Sequence, residues 1–313
     1  MYKKNKIALV IPAYNEEKLI IPTLTHVPKT IDRVYVVDDC STDNMAEVVR
    51  GLMKKDKRIR LVSHRRNQGP GGGIITGYKL ALKDGYDIAV VIGGDYQMDL
   101  VDLPNFLDPL INKEADYTKG NRFIEEATAL KFMPAQRLFG NSMLSLLTKI
   151  ASGYYKIFDT MDGYTGMTKE AIKRVDWRCA WKGYGYPANF LIVFNAFGLK
   201  VLDVPRRAIY IKGERQTQIK TLKYIMKVAP MMFRGFFWRL IKKYVMRDFH
   251  PLVFFYFMGM LLIPIGIIWG LKILFQAMSG AISGNQVVLV ALFLIMGFQS
   301  LLFAMFFDME ESK

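Results

Sequence analysis

One stretch of the sequence decides the fold, and it reads Val90-Val91-Ile92-Gly93-Gly94-Asp95-Tyr96-Gln97-Met98-Asp99. Its apolar half is typical of a buried strand, and two glycines, an acid and an amide follow it. Open α/β sheets bind their ligands beyond the carboxyl ends of such strands. Gly93 and Gly94 would let a ligand come close, and Asp95 and Gln97 carry the oxygen ligands that Mg²⁺ or Mn²⁺ takes when it bridges a diphosphate. The alternative interpretation is a turn whose acids are only solvated.

Apolar runs and helical segments alternate through the first two thirds of the chain. The predicted strands are Ile7–Pro12, Arg33–Asp39, Arg60–Ser63 and Ile88–Ile92. The predicted helices are Glu16–Thr25, Asp43–Met53 and Gly72–Lys83. The first of them contains Pro22. Strands that alternate with helices of this length predict right-handed βαβ units and an α/β fold with a mainly parallel sheet.

The chain is basic, with 313 residues and a formal net charge of +15. Such a charge indicates nucleic acid or an anionic membrane surface as a partner. Its two cysteines, Cys40 and Cys179, form no disulfide framework or zinc site, so we expect a reducing compartment. No signal peptide precedes the first predicted strand, and we therefore expect this part of the chain in the cytoplasm.

The composition changes after about residue 215. From Gln218 to Arg247 the chain has eight Lys or Arg residues and no acid, and aromatic residues lie between them. A basic amphipathic segment rich in Trp and Phe predicts a pair of helices in the membrane interface. The alternative is a solvated helical face on a soluble domain. Because the basic residues cluster with aromatic residues beside apolar segments, we expect a bilayer, and not nucleic acid, as the partner.

Two apolar segments near the end of the chain are long enough to cross a bilayer. Leu252–Leu271 and Val287–Phe307 contain no charged residue, and a helix of about 20 residues crosses about 30 Å of hydrocarbon. The loop between them is uncharged and the segment before them is basic, so the positive-inside rule predicts that the α/β part and both termini lie in the cytoplasm. The predicted organisation is an α/β domain at 1–215, interfacial helices at 216–250 and a membrane region at 251–313, with spans at about 252–274 and 287–307.

Polar residues follow three of the predicted strands, where one crevice could gather them. They lie in Pro12-Ala13-Tyr14-Asn15-Glu16-Glu17, Asp38-Asp39-Cys40-Ser41-Thr42-Asp43 and Asn67-Gln68-Gly69-Pro70-Gly71-Gly72-Gly73. Tyr14 could stack on a base, and two acids that end a strand suit ribose hydroxyls or a base edge. Asn15, Ser41 or Thr42 could instead be ordinary helix caps. The glycine-rich run lacks the ending of a P-loop and the GxGxxG spacing, so we interpret it as a structural turn.

Together these motifs resemble glycosyltransferase family 2, which has the Rossmann-like GT-A fold. The resemblance covers about residues 5–215 and continues through Lys119-Gly120-Asn121-Arg122-Phe123 and Asp159-Thr160-Met161-Asp162-Gly163-Tyr164. Within the family, the chain is similar to dolichyl-phosphate mannose synthases and related polyprenyl-phosphate glycosyltransferases. We find no Gln-x-x-Arg-Trp motif of the processive synthases in the sequence, which argues against polymer extrusion.

The resemblance implies roles for individual residues. The metal ligands would be Asp95 and Gln97, and the catalytic residues would be Asp95, Arg122 and Arg137. The residues that bind the donor nucleotide and its diphosphate would be Pro12, Tyr14, Glu16, Val37, Asp39, Gly93, Gly94, Asp95, Gln97, Lys212 and Arg215. The chain departs from the family at Gly93, where many members have an acid.

The implied reaction is the inverting transfer of a hexose from a nucleotide-diphosphate sugar to a polyprenyl or dolichyl phosphate at the cytoplasmic membrane face. The first expectation is mannose from GDP-mannose with Mg²⁺ or Mn²⁺, and the chain could form an oligomer. A phosphate monoester has a second pKa of about 6, so the acceptor is already mostly dianionic at neutral pH. A general base, Asp99 or Asp95, is therefore the secondary interpretation. The alternatives are transfer of glucose from UDP-glucose, and a membrane-bound protein that binds a sugar nucleotide at a decayed site.

Overall fold

The computed structural model divides the chain into two compact units, Met1–Phe236 and Phe237–Lys313. The described residues are 1–123, 135–207, 209, 221–247, 249–278, 280 and 283–311, with the main chain alone at 135–141, 221–223 and 225. The predicted domain boundary at residue 215 lies outside these residues, so the three-part organisation stays a prediction.

The first unit is built on one seven-stranded sheet. Its strands are β1 (Ile7–Ala13), β2 (Arg33–Asp38), β3 (Ile59–Ser63), β4 (Ile88–Val91), β5 (Tyr117–Asn121), β6 (Thr165–Thr168) and β7 (Val201–Pro205). Their order across the sheet is β3-β2-β1-β4-β6-β5-β7. β6 pairs antiparallel with β4 and β5, and the pairings of β1 with β2 and β4, of β2 with β3 and of β5 with β7 are parallel. The α/β fold with a mainly parallel sheet is therefore confirmed.

Helices connect these strands and follow them. They are α1 (Ile20–Thr25), α2 (Met45–Lys55), α3 (Pro70–Lys83), α4 (Leu103–Ile111), α5 (Ala135–Ser152), α6 (Lys169–Arg174), α7 (Tyr186–Ala196), α8 (Thr221–Leu240), α9 (Leu252–Ala277) and α10 (Gly284–Glu310). The first helix begins at Ile20 and not at Glu16 as expected, because Asn15 has a φ of 57° and Glu17 binds the next loop. Pro22 then lies in the first turn of α1, where a missing N–H costs little.

Glycines bring α3 close to the sheet and to the segment before α7. A Cβ on Gly77 would overlap with Cγ1 of Val10, so only glycine lets the helix lie this close to β1. Gly69 has a φ of 85°, and a Cβ there would lie 2.6 Å from the carbonyl oxygen of Lys182. The amide of Gly72 donates to that same oxygen at 3.1 Å. The glycine-rich run therefore forms a tight turn at Gly69 and the first turn of α3, which agrees with the interpretation of a structural turn that leads into the helix.

One edge of the sheet gathers the loops that matter for function. β4, β5 and β7 point the same way as β1 and β2, so their carboxyl ends meet at this edge. β6 runs the opposite way and begins there, with Thr165 opposite both Val91 and Lys119. The segment that leads into β6 therefore lies beside the loops that follow β4, β5 and β7.

The second unit contains two helices that are long and apolar enough to cross a membrane. They are α9 and α10, with mean hydropathies of 2.3 and 2.5. A Cβ on Gly259 would lie 3.0 Å from the carbonyl oxygen of Gly297, so the two helices pack closely. The described residues of the expected pair of interfacial helices form one helix, α8, which belongs to the first unit up to Phe236 and continues past Pro230 into a π-helical segment at Ile241–Val245.

Candidate active site

The loops after β1 and β2 are tied to each other by hydrogen bonds. The side-chain oxygen of Asn15 accepts from the Thr42 amide at 2.8 Å, and the Asn15 amide donates to the Ser41 hydroxyl at 3.1 Å. The Glu17 amide donates to the Asp43 carboxylate at 3.0 Å. Asn15, Ser41 and Thr42 are therefore not helix caps, as one alternative held, because the N-caps of α1 and α2 are Leu19 and Asn44. They instead hold the loops after β1 and β2 together.

Asp39 lies buried behind this wall, at 3% exposure. Its carboxylate accepts from Nδ1 of His64 at 2.7 Å and from the amides of Gln68 and Gly69 at 2.8 and 2.6 Å. Asp39 thus fixes the glycine-rich turn to the end of β2, with His64 as a partner that the sequence analysis missed. A direct contact between Asp39 and a nucleotide stays a prediction.

The other residues expected to bind the nucleotide lie around the ends of β1 and β2. Pro12 and Val37 are opposite each other in the sheet, and Val37 has no exposed surface. Tyr14 is 42% exposed, so solvent reaches its ring. A Cβ on Gly94 would lie 3.1 Å from Cβ of Ala13 and 3.6 Å from Cγ of Glu16. The loop after β4 is therefore packed against the end of β1.

Asp95 has the features of a cation ligand. Its Oδ1 is buried and has no hydrogen-bond partner among the described residues. Burial raises the pKa of this carboxyl, although amide hydrogen bonds from Gln97 and from Asp95 itself act in the opposite direction. A Cβ at position 93 would lie 2.7 Å from Oδ1, so Gly93 leaves the space that the carboxylate occupies. A buried, unpartnered carboxylate oxygen is costly unless a ligand or ion satisfies it.

A divalent cation fits this site when a bound diphosphate supplies part of its coordination shell. Among the described residues, no group of three or more His, Cys, Asp or Glu side chains could hold a metal ion. Mg²⁺ commonly uses one or two protein oxygens and completes its shell with phosphate oxygens and water. Asp95 and Gln97 are compatible with such a site, in which a diphosphate supplies further oxygens.

Arg122 lies at the end of β5 and is held by two buried acids. Its Nε donates to Oδ2 of Asp159 at 2.7 Å, and its Nη2 donates to Oδ1 of the same residue at 3.2 Å. Oδ2 of Asp162 lies 3.2 Å from Nε. Burial acts to raise the pKa of Asp159, but the charge and hydrogen bonds of Arg122, together with the charges of Lys119 and Arg206, outweigh burial and hold that pKa below its ordinary value. The Arg122 side chain stays 33% exposed, so the acids orient a guanidinium that still reaches the surface.

A second buried arginine, Arg206, was missed by the sequence analysis. It follows β7, is 3% exposed and donates through Nε and Nη2 to Oδ2 of Asp162 at 2.8 and 2.7 Å. Its Nη1 donates to the carbonyl oxygen of Gln97 at 3.0 Å. Asp162 belongs to the motif Asp159-Thr160-Met161-Asp162-Gly163-Tyr164. No pattern in the neighbouring sequence indicates that it pairs with an arginine 44 residues later.

Comparison with protein-family models identifies the group to which the chain belongs. Residues 8–176 match the model described as "Glycosyl transferase family 2", which is more than half of the chain. The chain belongs to glycosyltransferase family 2. It is therefore an enzyme of the glycosyltransferase class, as the sequence predicted.

Two curated proteins are similar to this chain and are named for the reactions they catalyse. A UDP-N-acetylglucosamine–dolichyl-phosphate N-acetylglucosaminyltransferase of Methanococcus voltae is 32% identical over 65% of this chain and 86% of its own length. An undecaprenyl-phosphate mannosyltransferase of Micrococcus luteus is 25% identical over 64% of this chain and 82% of its own length. Both relatives are named as transferases that act on a polyprenyl-type phosphate.

A solved structure confirms the fold of the family 2 domain. Glucosyl-3-phosphoglycerate synthase from Mycobacterium tuberculosis, in complex with Mn²⁺, UDP and glucosyl-3-phosphoglycerate, superposes with a TM-score of 0.55 at 18% identity. The match covers 75% of this chain and 80% of that one. The GT-A fold is thereby confirmed, and no residue role follows at this identity.

Three residues that the family resemblance assigned to the site lie outside the described side chains. Arg137 belongs to α5, where residues 135–141 have a described main chain only. Lys212 and Arg215 lie in the undescribed segment 210–220. Their roles stay predictions.

Asp203 gives the family 2 domain a stability that depends on pH. Burial raises its pKa from 3.8 to about 6, and its Oδ1 has no partner among the described residues. Because the pKa is higher in the folded state, the contribution of this group is complete below about pH 4 and is lost as the pH rises through 6. We expect Asp203→Asn to raise the melting temperature in detergent more at pH 7.5 than at pH 5.

The matched control for Asp203→Asn is Asp108→Asn, since the pKa of Asp108 is shifted the other way. Hydrogen bonding by Lys3 lowers the pKa of this exposed carboxyl. Its contribution is present at neutral pH and is lost on acidification, so the variant should be less stable than the wild type only above about pH 4. If Asp203→Asn changed the melting temperature equally at both pH values, the raised pKa of Asp203 would be wrong.

Proposed function

We propose that the chain transfers a sugar from a nucleotide-diphosphate donor to a polyprenyl phosphate. The observation that carries this proposal is the buried Oδ1 of Asp95, which has no hydrogen-bond partner among the described residues and lies at the same sheet edge as the guanidinium of Arg122. The carboxylate of Asp95 suits a cation on the leaving diphosphate, and the guanidinium of Arg122 suits the oxygens of a phosphate. A reaction between a diphosphate and a phosphate monoester needs both kinds of group.

The residues of the crevice suit the separate tasks of this reaction. Tyr14 would stack on the base, and Glu16 would accept from base or ribose donors. When bound at Asp95 and Gln97, Mg²⁺ or Mn²⁺ would supply Lewis-acid stabilisation of the departing diphosphate. Arg122 would grip phosphate oxygens in a fixed orientation. Since the acceptor phosphate is mostly dianionic at neutral pH, positioning and charge stabilisation replace a dedicated base.

The second unit supports a lipid as the acceptor. α9 and α10 are candidate membrane spans, and both reported relatives are named for transfer to a lipid phosphate. A membrane anchor keeps the enzyme on the surface that contains its acceptor. We propose two spans with the family 2 domain and both termini in the cytoplasm, as the basic segment before α9 predicts.

The donor sugar is the least constrained part of the proposal. The relative from Methanococcus voltae, at 32% identity, is named for UDP-N-acetylglucosamine, and we place this donor first. The mannosyltransferase from Micrococcus luteus supports GDP-mannose, the donor expected from the sequence, as the second candidate. UDP-glucose is the third.

One experiment tests donor and acceptor together. The purified full-length protein would be incubated in detergent with Mn²⁺, a polyprenyl phosphate and each radiolabelled donor in turn, and the lipid product would be separated by chromatography. We expect one donor to yield a charged glycolipid that disappears when the polyprenol lacks its phosphate. If no donor were transferred or hydrolysed with Mg²⁺ or Mn²⁺, the alternative of a decayed binding site would replace this proposal.

Replacing Arg122 by Lys tests the phosphate contact. The change keeps the positive charge but removes the planar pair of donors, so we expect kcat/KM for the lipid phosphate or the nucleotide sugar to fall about tenfold. The melting temperature should change little, because the charge beside Asp159 remains. The control is Arg178→Lys, since that side chain is 90% exposed in a surface pair. Unchanged kinetics for both substrates would remove Arg122 from the site.

A further inference from the structure

Asp162 joins basic side chains that come from two strands of the site edge. Its side chain has no exposed surface, and its Oδ2 lies within 3.2 Å of Nε of Arg122, which follows β5. The same oxygen accepts from Nε and Nη2 of Arg206, which follows β7. The carbonyl oxygen of Asp162 accepts from the ammonium of Lys119, and its Oδ1 accepts from the Tyr164 amide at 2.7 Å. Asp162 is therefore the central acid of a buried network.

Arg206 extends this network to the loop after β4. While two of its nitrogens bind Asp162, Nη1 donates to the carbonyl oxygen of Gln97 at 3.0 Å. That oxygen also accepts from the Ile209 amide at 3.1 Å. Because a guanidinium is planar and rigid, a shift of Asp162 moves the donor that holds Gln97.

We propose that Asp162 and Arg206 are positioning residues that couple Arg122 to the loop of Asp95 and Gln97. The connection runs from Arg122 through Asp162 and Arg206 to the main chain of Gln97. It sets the distance between the group that grips phosphate and the loop that holds the cation. The proposal rests on the proposed function, because that function assigns those two roles. Residues that hydrogen-bond to metal-binding side chains or loops fix the orientation of those groups. A buried network in which every polar group is bonded holds them in one geometry.

Binding of Mn²⁺ tests this proposal without catalysis. The full-length protein in detergent would be titrated with Mn²⁺ in the presence of UDP and, separately, of GDP, and free Mn²⁺ would be measured by electron paramagnetic resonance. We expect Arg206→Met to weaken Mn²⁺ binding by about 10- to 100-fold, which is the usual effect of losing such a partner. Arg206→Lys keeps the charge but cannot bridge two acceptors, so it should recover part of the affinity. Binding by Arg206→Met that equals that of the wild type would overturn the proposal.

Asp162→Asn tests whether the two ends of the network are coupled. The amide keeps the shape of the side chain but removes the charge that both arginines share. We expect weaker Mn²⁺ binding and a higher KM for polyprenyl phosphate in the same variant, each by about tenfold or more. If only one of the two constants changed, the coupling would be wrong. Since Asp162→Asn and Arg206→Lys alter the buried network least, they keep the test valid should Arg206→Met fail to fold.

The exposed pair of Arg178 and Asp176 supplies the control. Its arginine is 90% exposed and lies 2.8 Å from the acid, so Arg178→Met removes the same chemistry without a buried network. Its Mn²⁺ affinity and kinetics should match those of the wild type. A wild-type protein that neither binds Mn²⁺ with a nucleotide nor transfers sugar would overturn the proposed function. A wild type that does both, with variants that behave like it, would overturn only the coupling.

Discussion

Replacing Asp95 by Asn should lower the turnover of sugar transfer by about 1,000-fold while the protein stays folded. The change removes the negative charge from the buried Oδ1, which is the oxygen best placed to hold a cation. Burial raises the pKa of the wild-type carboxyl, so the ionised form is costly in the folded state. A neutral amide removes this cost, and the melting temperature of the variant should equal or exceed that of the wild type.

Turnover with saturating donor and acceptor, over a range of Mg²⁺ and Mn²⁺ concentrations, is the measurement for Asp95→Asn. The matched control is Asp99→Asn, four residues along the same loop. Oδ1 of Asp99 accepts from the Val101 amide at 2.9 Å as a helix cap, a role that an asparagine also fills. Wild-type turnover in Asp95→Asn would refute the metal assignment. A loss confined to Asp99→Asn would instead favour Asp99 as a general base.

The first four strands could be predicted because their apolar runs are continuous. Each predicted strand lies within one residue of its observed bounds, as with Ile88–Ile92, which is observed as Ile88–Val91. β5 could not be found in this way. Its sequence Tyr-Thr-Lys-Gly-Asn is mostly polar, yet every residue is buried, because neighbours at the end of the sheet satisfy the polar groups. Lys119, for example, is 1% exposed and donates to the carbonyl of Asp162.

The site could be predicted only where its residues follow one another in the chain. Asp95 and Gln97 share a loop after an apolar strand, so their chemistry is visible from the sequence alone. Arg206 binds the carbonyl of Gln97 across 109 residues, and the strand order β4-β6-β5-β7 brings them together. No periodicity or spacing in one sequence encodes that order. Sequence analysis therefore found residues proposed to carry the chemistry, such as Asp95 and Gln97, and missed Arg206, which positions them.

The second unit contains a buried ion pair that its apolar composition conceals. Arg239 and Asp308 have no exposed side-chain surface, and their two hydrogen bonds are both 2.7 Å long. The hydroxyls of Tyr244 and Tyr256 donate to the same carboxylate at 2.7 and 3.3 Å. The sequence analysis assigned Asp308 to the tail after the second span and Arg239 to a basic interfacial face. Both assignments missed that α10 continues to Glu310 and that the two charges neutralise each other.

Removing one partner of this pair should destabilise the second unit strongly. Asp308→Ala leaves the guanidinium of Arg239 buried without its counter-charge, and such changes cost about 3–5 kcal/mol. Charged groups inside apolar helices are costly unless they are paired, which explains why Arg239, Tyr244 and Tyr256 all donate to Asp308. Unfolding by SDS in mixed micelles, followed by circular dichroism, measures the loss in the free energy of unfolding.

The double replacement separates pairing from simple loss of packing. Arg239→Met with Asp308→Leu removes both charges, and its cost should be clearly smaller than that of Asp308→Ala alone, because no charge is left unpaired. The surface pair of Arg60 and Asp84 supplies the control, since the Arg60 side chain is 49% exposed, and Arg60→Ala should cost at most about 1 kcal/mol. If Asp308→Ala cost no more than Arg60→Ala, the pair would not stabilise the unit. The single variants Arg239→Met and Asp308→Leu complete the comparison. If the double replacement cost as much as the sum of these two, the stabilisation would come from packing, and the buried charges would not act as a pair.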